Sequence, residues 1–77
     1  MKNIPLNKCF KNITYKVDYV DTTNISISRR LTELGFIEGA SIKIIQFSVL
    51  KKTLLIEIEG YVLSLRSSIG EMIKVKQ

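Results

Sequence analysis

Residues 30–39, Arg-Leu-Thr-Glu-Leu-Gly-Phe-Ile-Glu-Gly, are the stretch of this sequence that decides the fold. Gly35 marks where a helix ends, because a left-handed residue at that position needs no Cβ. Upstream of it, three apolar residues recur at the i, i+4, i+7 spacing of one helical face: Ile27, Leu31 and Leu34. The sequence therefore predicts a helix over about residues 24–34 with these three side chains facing the core.

Capping and turn residues flank the predicted helix. Residues 21–24, Asp-Thr-Thr-Asn, precede it, and such short polar side chains are favoured where a helix starts. After it, Gly39 occupies the third position of a predicted tight turn over residues 37–40, where a type II turn requires a positive φ. A strand is expected directly after this turn.

Alternating apolar and polar residues predict strands on both sides of the helix. One face of the first strand is expected to carry Ile13, Tyr15, Val17 and Tyr19. In the second strand, Ile44 and Ile45 interrupt the alternation, which indicates a bulge or burial on both faces. The predicted strands cover residues 9–21, 41–49, 53–59, 61–66 and 72–75.

A short helical turn is expected over residues 67–71, before the last strand, because Ser68 and Glu71 have the spacing of a capping box. One helix between the first two strands, this turn and about five short strands favour a mainly β fold. Short strands in so small a chain favour closure into a barrel. The length of 77 residues allows one domain, residues 1–77.

Composition and charge describe a globular protein with a basic surface. The chain is 45% hydrophobic and has a formal net charge of +5, which suggests an acidic partner, although no run of five basic residues occurs. Its one cysteine, Cys9, has no internal partner for a disulfide, as expected for a protein of the reducing cytoplasm. No signal peptide is visible, and no apolar stretch approaches the ~18 residues that a membrane span needs, so no membrane insertion is expected.

The residues needed for catalysis or for a metal site are scarce. Histidine is absent, which removes the commonest general base and a usual ligand of ferrous iron. Glu57 and Glu59 share a strand face, but a solvated face explains them better than acid–base chemistry. The glycines stand singly, without a phosphate-binding loop. The sequence therefore predicts no enzyme, no cofactor and no metal centre.

Several segments resemble the FeoA (ferrous iron transport protein A) family. Residues 30–39 resemble its R-L-x-x-L-G-hydrophobic-hydrophobic-P-G signature, with Glu38 in place of the proline. Residues 60–66 resemble its strand ending in hydrophobic-x-L-R, and residues 73–75 its closing I-x-V. A further departure is Lys51-Lys52-Thr53, where the family often has a Gly-Asp-Pro-like turn. The resemblance extends over residues 4–76.

The resemblance implies an SH3-like β-barrel in the cytoplasm, in its stand-alone form rather than attached to a repressor. It implies a non-enzymatic accessory protein of ferrous iron uptake. The implied partner is the cytoplasmic, GTPase-bearing part of FeoB, the membrane ferrous iron transporter. The alternative is a small basic barrel that binds nucleic acid, which the +5 charge favours. Against this alternative, the basic residues are scattered and no aromatic platform is evident.

A partner-binding surface is predicted near the helix end and the first hairpin. Apolar residues beside turns are candidates, because loops carry binding residues and burial there is hardest. Lysines at the hairpin would add a basic rim that steers an acidic partner. The predicted residues are Phe36, Ile37, Leu50, Lys51 and Lys52. The competing interpretation is that Phe36 and Ile37 plug one end of the barrel.

Overall fold

Six antiparallel strands form the framework of the structure, a computed structural model that describes residues 3–77. The strands are β1 (Ile4–Pro5), β2 (Thr14–Val20), β3 (Ser41–Phe47), β4 (Thr53–Ile58), β5 (Tyr61–Arg66) and β6 (Ile73–Lys76). Two helices, α1 (Ile25–Glu33) and α2 (Ser67–Gly70), and a 3₁₀ turn (Leu6–Lys8) connect them. The strands form one sheet in the order β1–β6–β2–β3–β4–β5, which confirms the mainly β prediction.

The sheet contains one strand more than the sequence predicted. β1 pairs with β6 through Ile4 opposite Val75 and Pro5 opposite Lys74. Two residues are too few to show an alternation, so the pattern carried no signal for this strand. Proline is tolerated there because β1 lies at the edge of the sheet. The long helix α1 consequently lies between the second and third strands rather than between the first two.

The first predicted strand is shorter than expected and changes face along its length. Tyr15 and Val17 are buried, as predicted, but Tyr19 is 49% exposed. The pairing of β2 with β6 shifts register between Val17 and Tyr19, as it does at a β-bulge. A bulge adds one residue to a strand, so Val20 packs against the core instead of Tyr19. The prediction that Tyr19 shares the buried face was wrong for this reason.

Helix α1 begins and ends close to the predicted positions. The side chain of Asn24 caps it by accepting a hydrogen bond from the backbone N–H of Ile27, at 3.1 Å. Leu31 is buried and Ile27 packs partly against the core, but Leu34 is 38% exposed. Leu34 is the residue after the last helical one, and its N–H bonds to the carbonyls of both Arg30 and Leu31. Leu34 therefore lies at the open end of the helix rather than within it, and its predicted burial was wrong.

Two glycines with positive φ shape the connection from α1 to β3. Gly35 (φ 106°) ends the helix and Gly39 (φ 89°) lies in the following turn, both as predicted. That turn is closed by the N–H of Ala40, which bonds to the carbonyl of Ile37 at 3.0 Å. The N–H of Gly39 also bonds to the carbonyl of Val17 at 2.8 Å, which fixes the turn against β2.

The predicted interruption in the second long strand is a bulge. The pairing of β3 with β4 shifts register between Ile44 and Gln46, so Ile45 has no direct partner on β4. The next hairpin, between β4 and β5, is a two-residue turn in which Glu59 (φ 46°) and Gly60 (φ 91°) both have positive φ. Positive φ at both positions characterises a type I′ turn, whose twist matches that of the flanking strands.

One apolar cluster forms the core of the domain. The 3₁₀ turn, strands β2 to β6, helix α1 and the segments that join them contribute to it, so a single core serves the whole described chain. Its buried members are Leu6, Cys9, Tyr15, Val17, Leu31, Phe36, Ala40, Ile42, Ile44, Leu54, Ile56, Ile58, Leu65, Ile73 and Val75.

Helix α2 is present where a helical turn was expected, but the capping box is not. The helix begins at Ser67, two residues earlier than that motif requires, and it has no side-chain cap. The Glu71 carboxylate instead accepts a hydrogen bond from the Nδ2 of Asn7 at 3.1 Å, and the same Nδ2 reaches the carbonyl of Ser67 at 3.1 Å. Asn7 thus ties the 3₁₀ turn to α2.

Gly70 lies where a larger side chain has no room. A Cβ there would approach Leu54 Cδ1 to 2.9 Å and Asn7 Cβ to 3.3 Å. We expect Gly70→Ala to lower the free energy of unfolding by about 1–2 kcal/mol, because overpacking costs more than the added helix propensity returns. Urea unfolding followed by circular dichroism measures this. Ser68→Ala, an exposed position of the same helix, is the control, and an equal effect of both variants would contradict the prediction.

Candidate functional site

The five residues predicted to bind a partner do not form one surface. Phe36 is 1% exposed and belongs to the core, so it offers nothing to a partner, and the competing interpretation as a plug describes it. Ile37 lies just before the start of β3, whereas Leu50, Lys51 and Lys52 follow its end. Seven residues of strand separate the two groups, a distance of about 20 Å.

The first exposed surface, the helix-end patch, consists of Leu34, Ile37 and Tyr61, which are 38%, 54% and 41% exposed. The Tyr61 hydroxyl donates a hydrogen bond to the carbonyl of Leu34, so the start of β5 is tied to the end of α1. Ile37 adjoins the same place, because its N–H bonds to the carbonyl of Gly35 at 2.9 Å. These backbone contacts hold three apolar side chains together at the surface.

Acidic side chains border the helix-end patch. A shallow cavity of about 350 Å³ beside Ile37 is also lined by Glu38 and Glu59. The Glu59 carboxylate accepts a hydrogen bond from the backbone N–H of Ser41 at 2.7 Å, which fixes its position. The patch therefore has an apolar centre and an acidic rim.

The second exposed surface, the hairpin tip, is the segment Ser48–Lys52 that joins β3 to β4. Val49 is 98% exposed and Leu50 is 72% exposed. Ser48 organises the turn: its N–H bonds to the carbonyl of Thr53 at 2.9 Å, and its hydroxyl accepts from the N–H groups of Lys52 and Thr53, both at 3.1 Å. The tip is thus a hydrogen-bonded turn that presents two aliphatic side chains outwards.

Lys51 completes the turn by adopting a left-handed conformation. Its φ is 57°, and its N–H bonds to the carbonyl of Ser48 at 2.9 Å. A non-glycine residue in this region is disfavoured by about 1 kcal/mol or more. The Lys51 ammonium lies 5.8 Å from the centre of the Phe47 ring, within the range of a cation–π contact.

A basic groove, lined by Lys51, Lys52, Thr53, Arg66, Ser67 and Ser68, lies beside the hairpin tip and has a volume of about 470 Å³. The pairing of Thr53 with Arg66, and a 2.8 Å bond from the Ser67 N–H to the Lys52 carbonyl, hold its walls together. Within residues 3–77 the ion pairs are Lys43–Glu57 and Lys76–Asp18, so neither uses a cation of this groove. Three positive charges therefore face solvent here.

The titratable side chains of the described chain do not gather into a metal-binding arrangement. No group of three or more His, Cys, Asp and Glu residues in 3–77 lies close enough to hold a metal ion. Cys9 is buried, and burial raises the pKa of its thiol to about 11, so the thiol is protonated at neutral pH. Glu57 is engaged by Lys43 at 3.6 Å. No helix in the same residues has the length and apolar character needed to cross a membrane.

Sequence reasoning missed three members of these surfaces. Val49 was assigned to a strand, but β3 ends at Phe47, and the Ser48 hydroxyl closes a turn by accepting hydrogen bonds from the N–H groups of Lys52 and Thr53. Tyr61 was assigned to the strand over residues 61–66 without a role at the surface, although its position beside a two-residue turn was a signal for partial exposure. Leu34 was expected in the core, but it is the residue that caps the end of α1 and is exposed there.

The fold and the two surfaces define a class, the small SH3-like β domains, and comparison with known proteins confirms it. The FeoA domain family model matches residues 4–77, so this chain belongs to the FeoA domain family. A FeoA-like protein from Clostridium acetobutylicum shares 26% identity, with a TM-score of 0.88 over 99% of this chain and 87% of the other. A search of curated proteins found no match.

Two further solved structures share the fold at lower identity. FeoA of Stenotrophomonas maltophilia, in complex with zinc, is 24% identical, with a TM-score of 0.82 over 99% of this chain and 91% of the other. That protein is described as a prokaryotic SH3 domain protein and a candidate ferrous iron transport activating factor. A manganese-dependent transcriptional repressor has a TM-score of 0.91 at 15% identity, and this chain corresponds to 37% of its length.

Proposed function

We propose that this protein is a non-enzymatic accessory factor of ferrous iron uptake that binds the cytoplasmic, GTPase-bearing part of a FeoB-type transporter. Membership of the FeoA domain family supports the link to ferrous iron transport. The Stenotrophomonas maltophilia protein is described as a candidate activating factor of ferrous iron transport, and an activating factor is one kind of accessory factor. The helix-end patch is the observation that carries the binding part of the proposal.

The helix-end patch has the composition of a protein-binding surface. Interfaces are enriched in tyrosine and arranged as an apolar centre within a polar rim. Tyr61, Leu34 and Ile37 supply the centre, and Glu38 and Glu59 supply the rim. Because hydrogen bonds to the backbone hold the patch in place, little conformational entropy is lost when a partner binds.

The patch also depends on the segment that resembles the family signature. Gly35 and Gly39 take the positive φ values that bring Ile37 to the surface between them. A Cβ at Gly35 would lie 3.5 Å from the Tyr61 hydroxyl, in ordinary contact, so the positive φ rather than lack of space favours glycine there. The glycines of the signature thus serve the construction of the patch, in addition to ending the helix.

We expect Ile37→Ser to weaken binding to the soluble GTPase domain of the transporter about tenfold or more. An apolar anchor at the centre of an interface typically contributes 2 kcal/mol or more, and serine removes most of its apolar area. Isothermal titration calorimetry against the purified domain measures the dissociation constant. Circular dichroism must first show that the variant is folded.

Ile25→Ser is the matched control, because Ile25 is 59% exposed at the opposite end of α1. It carries the same substitution at a similar exposure and should leave the dissociation constant within about twofold. The hairpin variants Leu50→Ser and Lys51→Glu/Lys52→Glu are titrated in parallel, because those residues also belong to the sequence-predicted surface. If only the hairpin variants lose affinity, the transporter surface lies at the hairpin tip. If wild type itself does not bind, the proposed function is refuted.

A further inference from the structure

We propose that the hairpin tip docks on an anionic lipid surface, with Val49 and Leu50 entering the interfacial region and Lys51, Lys52 and Arg66 meeting headgroup phosphates. This inference goes beyond the proposed function, and its test requires no transporter. It rests on the exposure of two adjacent aliphatic residues, on the charge of the groove beside them and on the construction of the turn.

Val49 and Leu50 are exposed to an extent that folding alone does not explain. Val49 has 98% of its surface exposed, so it contributes nothing to the core. Single apolar residues on a surface are common, but here two lie in succession at the apex of a hairpin, farthest from the strands. An apex reaches a flat surface first, and two aliphatic side chains are suited to the boundary between headgroups and acyl chains.

Positive charge surrounds this apolar apex. Lys51 and Lys52 follow it directly in sequence, and Arg66 faces them across the basic groove. The side chains that line the groove include three hydroxyl groups and no carboxylate. The Glu71 carboxylate is tied to Ser67, which lines the groove, through the bonds from Asn7 Nδ2 to Glu71 and to the Ser67 carbonyl. Anionic lipid headgroups supply the complementary charge.

The construction of the turn lets the aliphatic apex and the basic groove contact the same surface together. The Ser48 hydroxyl and the left-handed Lys51 fix the direction of the apex, and the pairing of Thr53 with Arg66 joins the groove to the same hairpin. The backbone of the turn therefore holds the aliphatic residues and the basic residues in fixed positions relative to each other before they contact the membrane. The turn can therefore bind a membrane without first becoming ordered. The ordering of a flexible loop is a usual entropic cost of binding.

Lipid fits this surface better than nucleic acid does. Single-stranded nucleic acids bind where aromatic side chains offer faces on which bases stack. The apex carries only aliphatic side chains, and the nearest ring, that of Phe47, is half-buried with the Lys51 ammonium over it. Positive charge alone would be sufficient to bind RNA. Positive charge combined with two aliphatic residues at the apex favours an anionic membrane surface.

Vesicle flotation tests the proposal. The purified protein is mixed with vesicles of phosphatidylcholine alone, or of phosphatidylcholine with 30% phosphatidylglycerol, at low and physiological salt. Binding to the anionic vesicles is expected, with little binding to the neutral ones. Each basic residue near such a surface contributes about fivefold in affinity, so Lys51→Gln/Lys52→Gln should weaken binding about 30-fold. Val49→Ser/Leu50→Ser should weaken it about tenfold or more.

Arg29→Gln/Arg30→Gln is the matched charge control, because both residues are exposed on α1 and the change in net charge is the same. It should weaken binding no more than about threefold. An equal loss for the two double variants would mean that net charge alone drives binding, and it would overturn the assignment to the hairpin tip.

A second readout uses the absence of tryptophan from this chain. In Leu50→Trp, the emission of the single indole should shift to shorter wavelength when anionic vesicles are added. In Ile25→Trp it should not shift, because that position lies on α1. No shift in Leu50→Trp would overturn insertion of the apex. Binding of a 12-nucleotide RNA tighter than that of the anionic vesicles would overturn the lipid assignment in favour of nucleic acid.

Discussion

Phe36→Ala is expected to lower the free energy of unfolding by about 3–5 kcal/mol, the largest single effect we foresee in this protein. Phe36 is 1% exposed and is the largest of the fully buried side chains. Its removal would leave a cavity between the end of α1 and the start of β3, where the turn around Gly39 is fixed to β2 by its bond to Val17. Because the turn around Gly39 is held in place, it cannot move in to fill the cavity.

Urea unfolding followed by tyrosine fluorescence and circular dichroism measures the change. Single domains are stable by only about 5–15 kcal/mol, so Phe36→Leu, at about 1–2 kcal/mol, keeps the effect measurable if the alanine variant does not fold. Ile37→Ala is the control, because the neighbouring side chain is 54% exposed and should cost about 0.5 kcal/mol or less. Equal losses at both positions would mean that Phe36 does not act as the plug of the core.

Leu31→Ala is expected to cost about 2–5 kcal/mol, the second largest effect. Leu31 is 3% exposed and is the one leucine of α1 that lies in the core cluster. Helix α1 has only nine residues, and helices of that length depend on tertiary packing for their stability. Loss of this contact should therefore loosen the helix as well as the core.

Leu34→Ala provides the comparison for Leu31→Ala. Both residues were predicted to face the core, yet Leu34 is 38% exposed at the helix end. We expect Leu34→Ala to lower the free energy of unfolding by about 1 kcal/mol or less, although the same side-chain atoms are removed in both variants. Thermal and urea denaturation of the pair separates the two positions. A loss below half a kcal/mol for Leu31→Ala would place Leu31 on the surface and contradict the packing of α1.

The helix–turn–strand unit was predictable because its signals are local. Asn24 as a cap, and Gly35 and Gly39 with positive φ, each satisfy a backbone requirement that few other residues meet. The strands β4 and β5 followed from the alternation of apolar and polar residues. In each case one or two neighbouring residues determine the conformation, so no knowledge of the tertiary structure was needed.

The remaining features depend on contacts that are distant in sequence. The exposure of Tyr19 follows from a bulge against β6, and β1 exists only because β6 offers an edge some 70 residues later. The residues predicted to bind a partner do not form one surface for the same reason. Phe36 and Ile37 are neighbours in sequence, but one points into the core and the other to the surface, which periodicity could not decide at a turn.

The opposite charge of the two ends of the β3–β4 hairpin has a kinetic consequence. Glu38 and Glu59 lie beside the start of β3, where the Lys16 ammonium also bonds to Ser41. Cations without a carboxylate line the groove beside its end, so the domain carries an electric dipole along these strands. A dipole near a charged surface experiences a torque, and rotation is fast compared with translation over the same distance. The domain would therefore turn its cationic end towards a negative surface before touching it. Added salt shortens the range of this torque to about 8 Å at physiological ionic strength, so it should slow arrival while leaving departure almost unchanged.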